Sequence, residues 1–391
     1  MDKIIKAHKA EYGVKPDVIA SAPGRFHLCG EHTWFFRDKT LSMAVNLPVY
    51  VAASKNSDST LKINFIQVDE KKKCHLSSMK YKKEDKWANS VKAIFFGFQA
   101  CGFNLDGLDI TISSDILPQA GFGISTAIKV ACAWVVREVC NLKCTDAQIF
   151  QVFNKANRQF LNVDNLAADY YATVYSKEDS FVLTDYATKS YDLLPFPFKD
   201  KTVLLTDASV PRIVTWNEES LLQPENVLLL GELKNRKSNV YGGWAYEEDS
   251  SEVNEVLSVA SEETKHRLQC IMYEHKSVLD CVKAIKNNDF AWFARAVSKS
   301  HEHLRDLYEV SCPEIDWIIK RIQELDEHPD DLRTPVNCGR ITGKGFGRGV
   351  YSILRNQDIE KYKERLCEYE RIFGFTASTY EVKPAGGVHL L

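Results

Sequence analysis

Apolar and polar positions alternate most regularly over residues 108–116, LDITISSDI, where Leu108, Ile110 and Ile112 are separated by Asp109, Thr111 and Ser113. A period of two marks a half-buried strand. The next apolar run, IKVACAWVVREV at 128–139, is too long and too evenly apolar for a strand and predicts a largely buried helix. Between them lies LPQAGFGISTA at 117–127, a Gly-containing loop that brings Ser125 and Thr126 to the helix start. Unpaired N–H groups and the helix dipole at such a terminus suit an anion. Taken alone, these residues favour a tight turn with an ordinary Ser or Thr cap.

The same patterning gives the other elements. Residues 1–13 predict a short amphipathic helix with Ile4, Ile5 and Ala7 on one side. Strands are expected at Val18 to Ala20 and Leu47 to Ala53, a hairpin turn at Asp69 to Lys73, and a helix at Trp87 to Phe98. Residues Thr145 to Tyr175 read as helical, and SFVLTDY and TVLLTDAS as strands. Pro195 and Pro197 mark a shift in composition, which places a domain boundary near 190, giving domains at 1–190 and 191–391. The second half mixes helices, including 247–285 and 289–307, with a Gly-rich segment, GRITGKGFGRGVYSIL at 339–354, that runs into a strand. The end of the chain, YEVKPAGGVHLL, reads as a last strand and turn, expected to pack across the two domains.

Composition narrows the function classes. The chain has 391 residues, 45% apolar and 26% charged, with a net charge of −3, so neither disorder nor a nucleic-acid partner is indicated. No run approaches the roughly 18–20 apolar residues that span a bilayer. Eleven scattered cysteines without a CxxC pair, and no signal-peptide pattern, point to a reduced cytoplasmic protein. Two places carry candidate chemistry. Arg25, His27, Glu31 and His32 crowd among aromatic residues, where charged groups need partners. Asp169 lies among small and apolar residues, where a carboxylate is costly without a nearby cation. His301 and His303 point to different sides of a helix and do not make a metal pair.

Six segments in order resemble the GHMP kinases, and among them galactokinases: APGRFHLCGEHT at 22–33, WANSVKAI at 87–94, PQAGFGISTA at 118–127, SHEHLRDLYEVSCPEID at 300–316, ITGKGFGRG at 341–349 and KPAGG at 383–387. The resemblance implies an α+β, two-lobed fold, with an N-terminal ribosomal-protein-S5-like lobe, a C-terminal ferredoxin-like lobe and the active site in the cleft between them. It implies ATP with Mg²⁺ as cofactors and transfer of the γ-phosphoryl to O1 of a sugar. By motif position Asp169 matches the catalytic base and Arg25 the arginine beside the reacting hydroxyl. Glu31 and His32 match sugar contacts, and Trp87 the aromatic near the adenine. Gly121, Gly123, Ser125 and Thr126 fall on the phosphate loop, with Ser125 as the Mg²⁺ or phosphate contact. The implied partner is a small sugar or related polyol, with no membrane partner, for a monomer or weak homo-oligomer.

The departures fall on the sugar side. Trp34 stands where galactokinases carry an Asp, and Trp216 where they carry a sugar-contacting Tyr. Leu166 and Tyr170 replace a Gly and a Gln around Asp169. Ile124 stands at a usual Ser of the phosphate loop, and Lys344 and Arg348 replace small residues of the third motif. Lost hydrogen bonds to substrate hydroxyls compound in discrimination. The pattern therefore reads as a sugar 1-kinase retuned away from galactose. A second reading, a weak or inactive kinase-fold protein used as a ligand sensor, is favoured by Ile124 and the remodelled third motif and opposed by the retained Arg25 and Asp169.

Overall fold

The computed structural model describes the chain except residues 35–37, 117–120, 165–166, 212–222, 237–254, 327–333 and 344–347, and the side chains of 233–236. Two compact units account for its internal contacts. The first comprises Met1–Arg25, Met43–Glu178 and Pro384–Leu391, and the second Phe26–Ser42 and Asp179–Lys383.

In the first unit helix α1 (Asp2–Tyr12) precedes strands β1 (Val18–Cys29), β2 (Lys39–Asn56), β3 (Thr60–Phe65) and β4 (Glu70–His75). Helix α2 (Ala88–Ala100), strand β5 (Gly107–Ser114) and helices α3 (Ile124–Val139), α4 (Asp146–Lys155) and α5 (Ala167–Tyr175) follow. The last strand, β12 (His389–Leu390), completes the sheet order β12-β1-β2-β5-β3-β4. β3 and β5 run parallel, while β2–β5 and β3–β4 are antiparallel.

The strand read from alternation is β5, but it is buried along its whole length rather than on one face. Its polar side is covered by α1. His8 bridges Thr111 Oγ1 and Ser54 Oγ at 3.0 and 2.9 Å, and Tyr12 donates to the Ile110 carbonyl at 2.9 Å. Partnered polar groups can be buried, so alternation alone understated the burial.

Three other expectations are corrected. The lysines of 69–73 lie not in the turn but on β4, which among the described residues pairs with β3 alone and turns Lys71 and Lys73 to solvent. Charges on an edge strand block further pairing. β1 extends past Ala20 through Arg25 and His27 to Cys29, so the candidate residues at its end sit on a strand. The helical stretch 145–175 is divided: α4 continues as a π-helical segment at Ala156–Leu161, which ends where Asn162 turns left-handed at φ 52°. Asparagine tolerates that conformation better than most residues.

The second unit holds strands β6 (Ser180–Asp185), β7 (Ser190–Pro195) and β8 (Lys201–Asp207), then helices α6 (Pro224–Arg236), α7 (Glu262–Asn287), α8 (Phe290–Asp306) and α9 (Pro313–Gln323). Strands β9 (Cys338–Thr342) and β10 (Gly349–Arg355), helix α10 (Ile359–Phe373) and strand β11 (Ser378–Val382) complete it. Its sheet is antiparallel in the order β11-β8-β10-β9. Leu204, Ile341, Val350 and Leu354 from the strands pack on Ile271, Ile315, Ile318 and Tyr362 from the helices. β6 pairs with β7 and with the start of β2.

Candidate functional site

Gly121 and Gly123 both take positive φ, 88° and 87°, at the entry to α3. A Cβ on Gly123 would lie 3.0 Å from Arg25 Cγ and 3.2 Å from Arg25 N, so a glycine is required by conformation and by space. β1 is tied to this loop: Arg25 N donates to the Phe122 carbonyl at 2.9 Å and Arg25 Nη1 to the Gly121 carbonyl at 3.3 Å. The N-cap of α3 is Gly123, which supplies no side-chain cap. The helix's terminal N–H groups are therefore the kind that suit an anion.

Arg25 also forms an ion pair with Asp169, contacting Oδ1 through Nε and Nη2. The aspartate is 4% exposed, on the first turn of α5. The cation that its setting demanded is thus Arg25, from 144 residues away. Ser125 is exposed and meets Ser90 Oγ at 2.9 Å, whereas Thr126 is buried. Of the two, Ser125 is the one available to a ligand. Ser90 belongs to α2, whose N-cap is Trp87. The Trp87 indole is half-buried, edge-on to Phe65, and donates to Glu70 Oε2 at 2.9 Å.

Lys129, which the motifs did not single out, lies one turn into α3 and is 2% exposed. Its Nζ donates to Asn157 Oδ1 at 2.6 Å and stands 5.0 Å from the Phe153 ring centre. Burial pushes its ammonium down to about 7, with Asp169 opposing and Arg25 reinforcing the fall. A lysine inside an otherwise apolar helical run was the signal for it.

In the second unit, Gly30, Glu31, His32 and Thr33 form a buried turn. Thr33 and Thr40 hydroxyls donate to the Gly30 carbonyl at 2.9 and 2.7 Å. The His32 ring lies 4.7 Å from that of Tyr308. Trp34 follows, half-buried. Glu31 is held by Arg340 from β9 through two bonds of 2.8 and 2.9 Å. Burial opposes its charge, but Arg340 outweighs that and holds the carboxyl well below the usual carboxylate range. Sequence reasoning saw Glu31 and missed Arg340, 309 residues away. Arg348 of the third motif pairs with Asp207 at 2.8 Å. Trp216, Leu166 and Lys344 lie outside the described residues.

Comparison with known proteins decides the family. The galactokinase galactose-binding signature matches residues 6–55, the GHMP kinase N-terminal domain 89–177 and the GHMP kinase C-terminal domain 281–371. A Treponema pallidum (strain Nichols) protein, provisionally named a galactokinase, is 38% identical over 100% of this chain and 97% of its own length. The chain belongs to the galactokinase family of the GHMP kinases. A galactokinase of Thermotoga petrophila is 27% identical over 94% of this chain and 98% of its own. The crystal structure of Lactococcus lactis galactokinase complexed with galactose superposes with a TM-score of 0.83 at 20% identity, covering 100% of this chain and 99% of that one. The fold is therefore the α+β GHMP kinase fold, with its N- and C-terminal domains. The protein is a galactokinase-like sugar kinase, a phosphotransferase with an alcohol group as acceptor. Kinases of this class use ATP with Mg²⁺. Among the described residues no helix is long and apolar enough to cross a membrane, and no group of His, Cys, Asp and Glu is arranged to hold a metal ion by itself.

Proposed function

We propose that the chain transfers the γ-phosphoryl of ATP to the anomeric hydroxyl of a sugar, with Asp169 as proton acceptor. The observation that carries this is the Arg25–Asp169 pair, built onto the same backbone that ties β1 to the glycine loop of α3. The loop fits a nucleotide's phosphates: Gly121 and Gly123 are left-handed, the N-cap of α3 is Gly123 with no side-chain cap, and Ser125 is exposed beside it. ATP with Mg²⁺, when bound, supplies the phosphoryl group and neutralises part of its charge. Gly121 and Gly123 would let the backbone approach the phosphates, Ser125 would contact Mg²⁺ or a phosphate oxygen, and Trp87 would flank the adenine.

The chemistry left to the protein is orientation, charge and one proton. Asp169 accepts the proton of the acceptor hydroxyl as that oxygen attacks. Arg25 favours the ionised carboxylate and offsets negative charge on the transferring group. The turn at 30–34 faces the sugar, and Trp34 in place of an aspartate retunes the acceptor. An indole stacks on an apolar sugar face but accepts no hydroxyl proton.

The test is ADP release with Mg²⁺, ATP and a panel of aldoses, amino sugars, uronic acids and polyols. One acceptor should exceed D-galactose by about tenfold or more in kcat/KM. Asp169→Asn should lower turnover about 10³-fold while ATP affinity stays within twofold. Equal turnover in that variant removes the base assignment. ATP binding without stimulation by any acceptor removes the kinase reading.

A further inference from the structure

Arg340 is among the largest fully buried side chains of the described residues, at 0% exposure. Its guanidinium has five N–H groups, and each finds an acceptor. Nη1 donates to Glu31 Oε1 and to the Ile341 carbonyl, both at 2.8 Å. Nη2 donates to Glu31 Oε2 and Glu274 Oε2, both at 2.9 Å, and Nε to Ser300 Oγ at 2.6 Å. Glu274 in turn accepts from the Gly30 N–H at 2.9 Å and from the Ser300 hydroxyl. Gly30 is left-handed at φ 82°, and a Cβ there would meet the Lys39 carbonyl oxygen at 2.3 Å. The turn is thus fixed at both its backbone and its first side chain, by residues of α7, α8 and β9.

Such a network is costly unless it has a purpose. Two buried carboxylates share one buried cation, and an apolar filling of equal volume would usually be no less stable. What the network provides that an apolar filling could not is a defined orientation. A bidentate guanidinium sets both the distance and the plane of Glu31.

We propose that Arg340 is a positioning residue for the acceptor sugar: it takes up Glu31 as an anchor, fixes Gly30 through Glu274, and so sets how His32 and Trp34 are presented. This rests on the reading of the 30–34 turn as the sugar side. It deepens that reading by naming the residue that sets the plane of Glu31 and, through Glu274, the backbone of the turn.

The test uses the full chain with Arg340→Lys, which keeps the charge but loses the fork, and with Glu31→Gln. Arg340→Met would strand two buried carboxylates and is not informative if it fails to fold. Kinetics are measured with ATP and with D-galactose, or with the acceptor that outperforms it in the panel. Amide hydrogen exchange is followed on peptides covering 27–34. Both variants should raise the sugar KM about tenfold, leave the ATP KM within twofold, and speed exchange over 27–34 alike. A Glu31→Gln variant with raised sugar KM and unchanged exchange would show that Glu31 does not hold the turn, and would overturn the proposal. So would faster exchange with an unaltered sugar KM. If the wild-type chain phosphorylates no sugar, the kinase reading fails by itself, and unchanged exchange in Arg340→Lys would still refute the anchoring.

Discussion

Lys129 carries a charge in a place that offers it one hydrogen-bond partner, Asn157, and an aromatic face. Its ammonium titrates near 7 in the folded chain against an ordinary 10.5. The sign of the consequence follows from proton counts. Between about 7 and 10.5 the unfolded chain holds the proton and the folded chain does not, so this residue makes stability rise with pH across that window. Its burial cost is complete at and below pH 7 and gone above 10.5. Lys129→Met should therefore be stabilising relative to wild type at pH 6, on the order of a few kcal/mol, and much less so at pH 9.5. Urea unfolding of both proteins at the two pH values checks this, and a difference independent of pH would refute it. At this scale the sequence announced charges that need partners, as with Asp169 and Glu31. Residue patterns alone named no partner across 144 and 309 residues; the family resemblance set Arg25 with Asp169, and nothing pointed to Arg340 as the partner of Glu31.

The entry to α3 shows what an element contributes beyond its residues. Gly123 must turn left-handed to let the chain pass from the loop into the helix, and the space a Cβ would need is filled by Arg25. Gly123→Ala should therefore cost about 1–3 kcal/mol in backbone strain. It should also push the arginine off Asp169, since the nearest atom is Arg25 Cγ. The expected outcome is at least a tenfold fall in kcat with a raised ATP KM, read by steady-state kinetics alongside thermal unfolding. Normal kinetics in a variant of lowered Tm would separate the loop from the catalytic pair. Elements such as α3 and β5 were legible because a long apolar run and a two-residue period are local signals. The length of β1 was not, because its polar residues looked like a loop until His27 found Ser42 and Thr342. Nor was the break after α4, which depends on the left-handed Asn162 rather than on any change of period.

At the scale of the molecule, the first unit is assembled from three separate stretches of chain, and the last of them is only eight residues, 384–391. That tail is held by backbone. Leu390 and His389 pair with Ala20 and Ser21 of β1, and Leu391 N donates to the Ile19 carbonyl at 2.9 Å. Val388 N and Gly387 N donate to Thr173 and Ser176 at the end of α5, both at 2.9 Å, and Ala385 N to Ala44 at 3.0 Å. Gly387 lies so close that a Cβ would stand 2.1 Å from the Val174 carbonyl oxygen. The tail therefore joins the strand that carries Arg25 to the helix that carries Asp169. Deleting 384–391 removes four such bonds and the cover of one sheet edge, at about 1 kcal/mol net per bond. The melting temperature should fall on the order of 10 °C, and turnover should fall further than stability alone explains. Gly387→Val, which keeps the tail but forces it from α5, should reproduce the loss of turnover with a smaller loss of stability. Differential scanning calorimetry with ADP-release kinetics on both variants decides the point. A truncated chain that melts within a degree of wild type and turns over normally would show that Arg25 and Asp169 are held together without the tail.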